Sequence, residues 1–367
     1  MTQVRRGARF AITLGALVLA SAASGLGVEA ASTLPLPGPA PRPRTAGGDP
    51  AADNRACEAC HADVAAEWRG SLHHQSWDDP VFLSAYALEQ RAFCRACHVP
   101  EADPDEVPSA SARRLGVGCV TCHVAGADII GVRARPATSQ AHAVRGDARL
   151  ATAAACEGCH QFEFPEPHTT AMQGTVAEHR ASPFAATSCQ ECHMPRVADA
   201  AGGAPGRTRR SHDFRVLGDT ALLRSAVRAS ARITGESTVT VTLASGRVGH
   251  AVPTGDMFRR LEVRASLAGQ DGARARPVVL GRRFRVVPGP RGPERHEIGD
   301  DRLPASGAPR EVRLELPQPI AGHAVHWQVA YQRMEAGMAL SFGVDPAVDE
   351  VILAEGQLGP EAAACTP

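Results

Sequence analysis

The chain has 367 residues, and its 39 basic and 39 acidic side chains balance to a formal charge of zero. That balance excludes the basic surface of a nucleic-acid binder, and the length leaves room for two domains. Lysine is absent, so every one of those basic residues is arginine, and no lysine amine is available as a ligand or catalytic base.

At the N-terminus, Arg5, Arg6 and Arg9 precede an apolar, small-residue run from Phe10 to Leu26. Ala20-Ser21-Ala22 or Val28-Glu29-Ala30 offers a cleavage site, so residues 1–30 read as a secretory signal peptide. Residues 31–54 are rich in Pro, Gly and Ala and read as a linker. No later apolar run approaches ~20 residues, so no integral membrane span is expected in the mature chain.

Five CxxCH pentapeptides follow: Cys57–His61, Cys94–His98, Cys119–His123, Cys156–His160 and Cys189–His193. At this composition about 0.01 such matches would arise by chance, so the five are not accidental. Two thiols three positions apart can each add to a haem vinyl group, and the adjacent histidine then reaches the iron. A zinc ribbon or a disulfide framework would use the cysteines but has no need of a histidine after every second one. The reading is five covalently bound haem c groups. Cys57, Cys60, Cys94, Cys97, Cys119, Cys122, Cys156, Cys159, Cys189 and Cys192 form the thioethers. His61, His98, His123, His160 and His193 are the proximal ligands. The eleventh cysteine, Cys365, lies in the tail and reads as a bystander thiol.

Five haems within about 140 residues leave too little polypeptide for an ordinary core, so the haems themselves must fill much of it. Between motifs, Asp79 and Pro80 predict a helix start with Val81, Phe82, Ala85, Tyr86 and Leu88 on one side. A second helix is expected from Thr169 or Thr170 to about Arg180, with Met172, Val176 and His179 sharing a face. Val197 to Arg210 reads as another linker. Beyond it, β-rich runs appear at Ala226–Ile233, Thr238–Leu243, Leu261–Leu267, Val278–Val287, Val312–Leu316 and His326–Tyr331. The expected fold class is therefore a mainly α and irregular haem domain over 55–212, then an all-β sandwich of immunoglobulin or fibronectin type over 213–359, with a tail at 360–367.

A second axial ligand on each iron decides between electron relay and an open, reactive position. Ten histidines lie outside the motifs, against five places. Local context favours His73, with His74 as rival, then His142 and His179, with His168 competing with the last. His212 in SHDF and His250 in GHAVPTGD are further candidates. His296, His323 and His326 read as ordinary hydrogen-bonded residues of the β region, and Met172 and Met194 as packing residues rather than thioether ligands.

The runs CEACH, EWRGSLHHQSWDDPVF, CRACHVP, GVGCVTCH and CQECHMP resemble the multihaem c-type cytochromes. The branch is that of the nitrifier tetrahaem cytochromes, pentahaem nitrite reductases and hydroxylamine oxidoreductases. SHDF, GHAVPTGDMFRRLEV and GDDRLPASGAPREVRLELP resemble the immunoglobulin-like C-terminal extension of some members. The resemblance implies closely stacked haems and places His73, His142, His212 and His250 where the family has recurrent non-motif histidines. It leaves the fifth distal ligand open. The nitrite reductases carry a CxxCK motif, which a chain without lysine cannot have. The hydroxylamine oxidoreductases use a cross-linked tyrosine, and only Tyr86 and Tyr331 exist here. The leading expectation is thus a periplasmic or cell-envelope pentahaem cytochrome, electron-transferring through mostly bis-histidine haems to redox partner proteins of the envelope. The alternative is an oxidoreductase with one open-coordination haem acting on a small nitrogen or sulfur oxyanion.

Overall fold

The computed structural model describes residues 34–39, 48–139, 141–165, 170–199, 206–214, 216–270, 272–290, 292–346 and 350–359. The segment read as a signal, part of the stretch read as a linker, His168 and Cys365 lie outside the described residues. From Leu34 on, the chain clusters as one compact unit.

Each haem motif sits at the end of a short helix. These are α1 (Pro50–Cys60), α4 (Ala92–His98), α6 (Cys119–His123), α7 (Ala154–His160) and α9 (Cys189–His193), and the motif histidine is the last helical residue or the one after it. One helical turn puts the two cysteines, three positions apart, on a common face. Between them lie α2 (Ala62–Arg69), α3 (Pro80–Leu88), α5 (Ala110–Leu115) and α8 (Thr175–Arg180). The start of α3 is as its sequence predicts: Asp79 accepts hydrogen bonds from the Val81 and Phe82 amides at 2.8 and 3.2 Å, and Pro80 occupies the first position.

Short ladders join these helices. β1 (Val124–Ala125), β2 (Asp128–Gly131) and β3 (Arg145–Gly146) form one sheet, and β4 (Gln161–Glu163) pairs with β5 (Ala171–Gly174). The helix expected from Thr169 or Thr170 therefore begins only at Thr175, because the backbone of 171–174 is committed to the ladder with β4. The stretch read as a linker is also partly paired: β6 (Arg196–Ala198) runs antiparallel to β7 (Thr208–Arg210).

After α10 (Thr220–Ser225) the chain turns to strands: β8 (Val227–Ile233), β9 (Thr238–Ser245), β10 (Arg260–Leu267), β11 (Val278–Gly289), β12 (Gly292–Asp300), β13 (Arg310–Glu315), β14 (Val325–Gln332) and β15 (Glu350–Leu358), with helix α11 (Ala336–Ser341) before the last. They make a five-stranded sheet, β12-β11-β10-β14-β15, and a three-stranded one, β13-β9-β8, each paired antiparallel. Six strands fall where the β-rich runs predict, while β12 and β15 escaped that reading. Inner residues of both sheets, among them Val239, Val241, Leu243, Leu261, Val263, Val325 and Val329, are wholly buried in one apolar cluster. Alternation along β10 explains how that cluster is built from a period of two.

The apolar clusters of the motif region are small by contrast. Trp68, Leu115 and Val120 form one, and Leu34, Ala125 and Ile130 another. The helices pack onto the strand region through Val81 of α3 against Met334 and Ala339, and through the Arg333–Asp79 ion pair at 2.7 Å. The Arg295–Glu89 pair at 2.6 Å adds to this seam.

Candidate haem-binding site

A cavity of about 2090 Å³ runs through the molecule, lined by residues of all five CxxCH motifs together with His73, His142, His212 and His250. Its size and continuity account for the sparse core of the motif region.

Four motif histidines face a second imidazole across this space. The ring centroids of His61 and His142, of His160 and His73, and of His193 and His250 are each 6.3 Å apart, and those of His123 and His212 are 6.2 Å apart. A metal–imidazole bond of about 2.0 Å on each side, plus roughly 1.1 Å from each nitrogen to its ring centre, gives about 6.2 Å for two imidazoles sharing one metal. Interplanar angles in the four pairs run from 10° to 69°. A constant separation with no constant angle is what an atom held between two ring nitrogens imposes, whereas ring-on-ring packing ties distance to angle. The residues present therefore fit iron held between paired imidazoles.

The other ring nitrogen is tied up in the matching way. Nδ1 of His123 lies 2.9 Å from the Ile130 carbonyl, that of His212 3.1 Å from Arg210, that of His250 2.9 Å from Ala251, that of His142 3.0 Å from Ala143, and that of His98 2.5 Å from Ser76. A carbonyl at Nδ1 makes that nitrogen the donor and leaves Nε2 with its lone pair for a metal. Burial favours the neutral ring, pushing His73, His193 and His212 down to about 4 and lowering His98, His123, His160 and His250 as well. A neutral imidazole is the form that binds a metal.

The thiols show which motifs adjoin. Cys97 lies beside Cys159, and Cys156 beside Cys189, so the fourth motif adjoins the second and fifth. Cys122 is an electrostatic neighbour of Cys156, and Cys57 of Cys119. The fourth motif is thus a junction touching the second, third and fifth, with the first reached through the third.

The fifth motif histidine, His98, differs. Phe82 stacks on its ring at 3.6 Å and 10°, and no described histidine stands opposite it at the spacing of the other four pairs. Asp79 and Asp256 are its electrostatic neighbours, and Arg259, bound to Asp256 at 2.8 Å, lines the same cavity. His179, a sequence candidate for a distal place, is not brought to a motif histidine: its Nε2 contacts the Thr187 carbonyl at 2.9 Å. His74 packs on Trp68, with centroids 4.3 Å apart.

Sequence reasoning missed the loop supports. Glu67 of α2 accepts from the His212 amide at 2.8 Å and pairs with Arg209 at 2.7 Å. Glu178 of α8 accepts from the Ala251 amide at 3.2 Å and from the Thr254 hydroxyl at 2.7 Å, and pairs with Arg302 at 2.9 Å. Nothing local in sequence marks either glutamate, since their partners lie far along the chain.

The family model described as cytochrome c554 and c-prime matches residues 56–124, which hold the first three motifs. The solved structure of a penta-heme cytochrome c552 from Thermochromatium tepidum is similar at a TM-score of 0.63 and 19% identity, covering 83% of this chain and 97% of that one. No curated protein matches the chain. That structural likeness shows the fold, and with the family match and the five motifs it supports a multihaem c-type cytochrome with covalently bound haem c, whose general chemistry is electron transfer.

Proposed function

We propose that the chain is an exported, periplasmic or envelope, pentahaem electron carrier in which four irons are held between histidine pairs. The pairs are His61 with His142, His160 with His73, His123 with His212, and His193 with His250. The common 6.2–6.3 Å spacing carries this reading. Haems bound here would pass single electrons among themselves and to redox partner proteins of the envelope. The chain's part is to fix the imidazoles, keep those of His73, His123, His160, His193, His212 and His250 neutral by burial, and set the other motifs around the fourth. The immunoglobulin-like reading of the β region belongs to the same proposal, supported by two antiparallel sheets over one core.

A second reading rests on His98. With Phe82 on its ring and no described imidazole opposite, a haem bound there keeps a position for a small nitrogen or sulfur oxyanion, and Arg259 supplies positive charge in the same cavity. The test joins intact mass, electron paramagnetic resonance and carbon monoxide binding. Five haems with four low-spin bis-histidine signals are expected, and fewer than four would overturn the ligation. Turnover of nitrite, hydroxylamine or sulfite would replace the carrier by the second reading.

A further inference from the structure

We infer that Glu67 and Glu178 are positioning residues, each locking the loop that carries a distal histidine onto a short helix, α2 or α8, that lies between the motif-bearing helices. The inference rests on the ligation proposed above for His212 and His250.

Both histidines lie just outside regular strands. His212 lies in the unladdered stretch 211–214, and His250 follows β9 in a bend at 249–250. His73 and His142, the other two non-motif histidines of the pairs, are held by backbone. The His73 carbonyl accepts from the Val117 amide at 2.9 Å, and His142 sits in a hairpin closed by the Arg135–Val144 and Thr138–Ala141 bridges. Near His212 and His250 backbone bonds hold the flanking residues, Ser211 to the Pro195 carbonyl at 2.9 Å and Val252 to Leu303 in a bridge, while the amides of His212 and Ala251 themselves donate to a carboxylate rooted in a short helix, α2 or α8.

The same arrangement occurs twice, from unrelated stretches of sequence. In each, a glutamate accepts from the amide of the distal histidine or of its neighbour and pairs with an arginine, Arg209 of β7 or Arg302 just after β12. Arg209 forks onto Glu67 through Nη1 at 2.7 Å and Nη2 at 3.0 Å. Arg302 joins Glu178 to the far side of its loop, because it also donates to the Pro253 carbonyl at 3.0 Å and pairs with Asp300 at 2.7 Å. Arg302 and Glu178 side chains are only 9% and 17% exposed, so water competes weakly for these bonds. The carboxylate therefore ties the loop to the helix beneath it and adds to the flanking backbone bonds in holding the imidazole at its distance from the opposite histidine.

The test replaces Glu67 and Glu178 singly by alanine and, as shape-conserving controls against a folding failure, by glutamine. Axial ligation is read by electron paramagnetic resonance, by carbon monoxide binding and by rescue with free imidazole. Loss of the lock should raise the apparent affinity of one haem for carbon monoxide by about 10–100-fold, in line with the effect of outer partners on metal ligands. Imidazole should restore the low-spin signal. A lowered melting temperature with unchanged ligation in all four variants would overturn the inference. His212→Ala and His250→Ala separate the two layers: if neither loses a low-spin haem the ligation itself fails, and if both do while the glutamate variants do not, only the positioning role fails.

Discussion

His142 offers a way to remove a proposed ligand without disturbing the fold, because its side chain is exposed and its loop is held by backbone. Hydrogen bonds at 2.9, 2.8 and 2.8 Å link Arg135 to Val144 in both directions and Thr138 to Ala141. The ring's own bond, from Nδ1 to the neighbouring Ala143 carbonyl at 3.0 Å, is solvent-exposed. Losing such a bond costs about 0.5–1.5 kcal/mol at most, and an exposed substitution usually stays within about 0.5 kcal/mol. His142→Ala should therefore lower the melting temperature by only about 3 °C or less. The proposed haem of the first motif should meanwhile lose its second axial ligand. The expected spectrum has one low-spin signal fewer, a high-spin signal in its place, and one additional carbon monoxide adduct that free imidazole suppresses. An undiminished low-spin signal with no new adduct would refute the inference from the 6.3 Å separation of His61 and His142.

His179→Phe should leave the low-spin signal untouched while destabilising the protein by roughly 1–3 kcal/mol, since the Thr187 carbonyl loses its partner; a new carbon monoxide adduct would instead return His179 to the iron. Leu261→Ala removes a wholly buried side chain from the strand core and should cost about 2–5 kcal/mol, read as a lower denaturant midpoint. Because Leu261 belongs to the apolar cluster of the sheets and not to the cavity lining, the haem spectrum below that midpoint should match the parent; an altered spectrum would contradict the separation.

Elements with a local cause were legible. The start of α3 needed only Asp79 and Pro80, and β10 only its alternation. β12 was missed because GPERHEIGD carries charge and no alternation, and it lies at the edge of its sheet, where one partner strand suffices. The segment 171–174 was misread as helix because its pairing with β4 is a tertiary choice that local propensity does not contain.

The CxxCH motifs alone nominate the proposed attachment points and proximal histidines, since one helical turn presents two thiols and an imidazole together whatever the rest of the chain does. Pairing belongs to the tertiary structure. Local context favoured His73 and His142 as distal candidates without naming the motif each would face; in the fold His73 faces His160 beyond two intervening motifs, and His142 faces back to His61. An imidazole reaches only the iron that the folded backbone sets opposite it. Here that placement comes from ladders, carbonyl contacts at Nδ1 and two glutamates whose partners lie far along the chain.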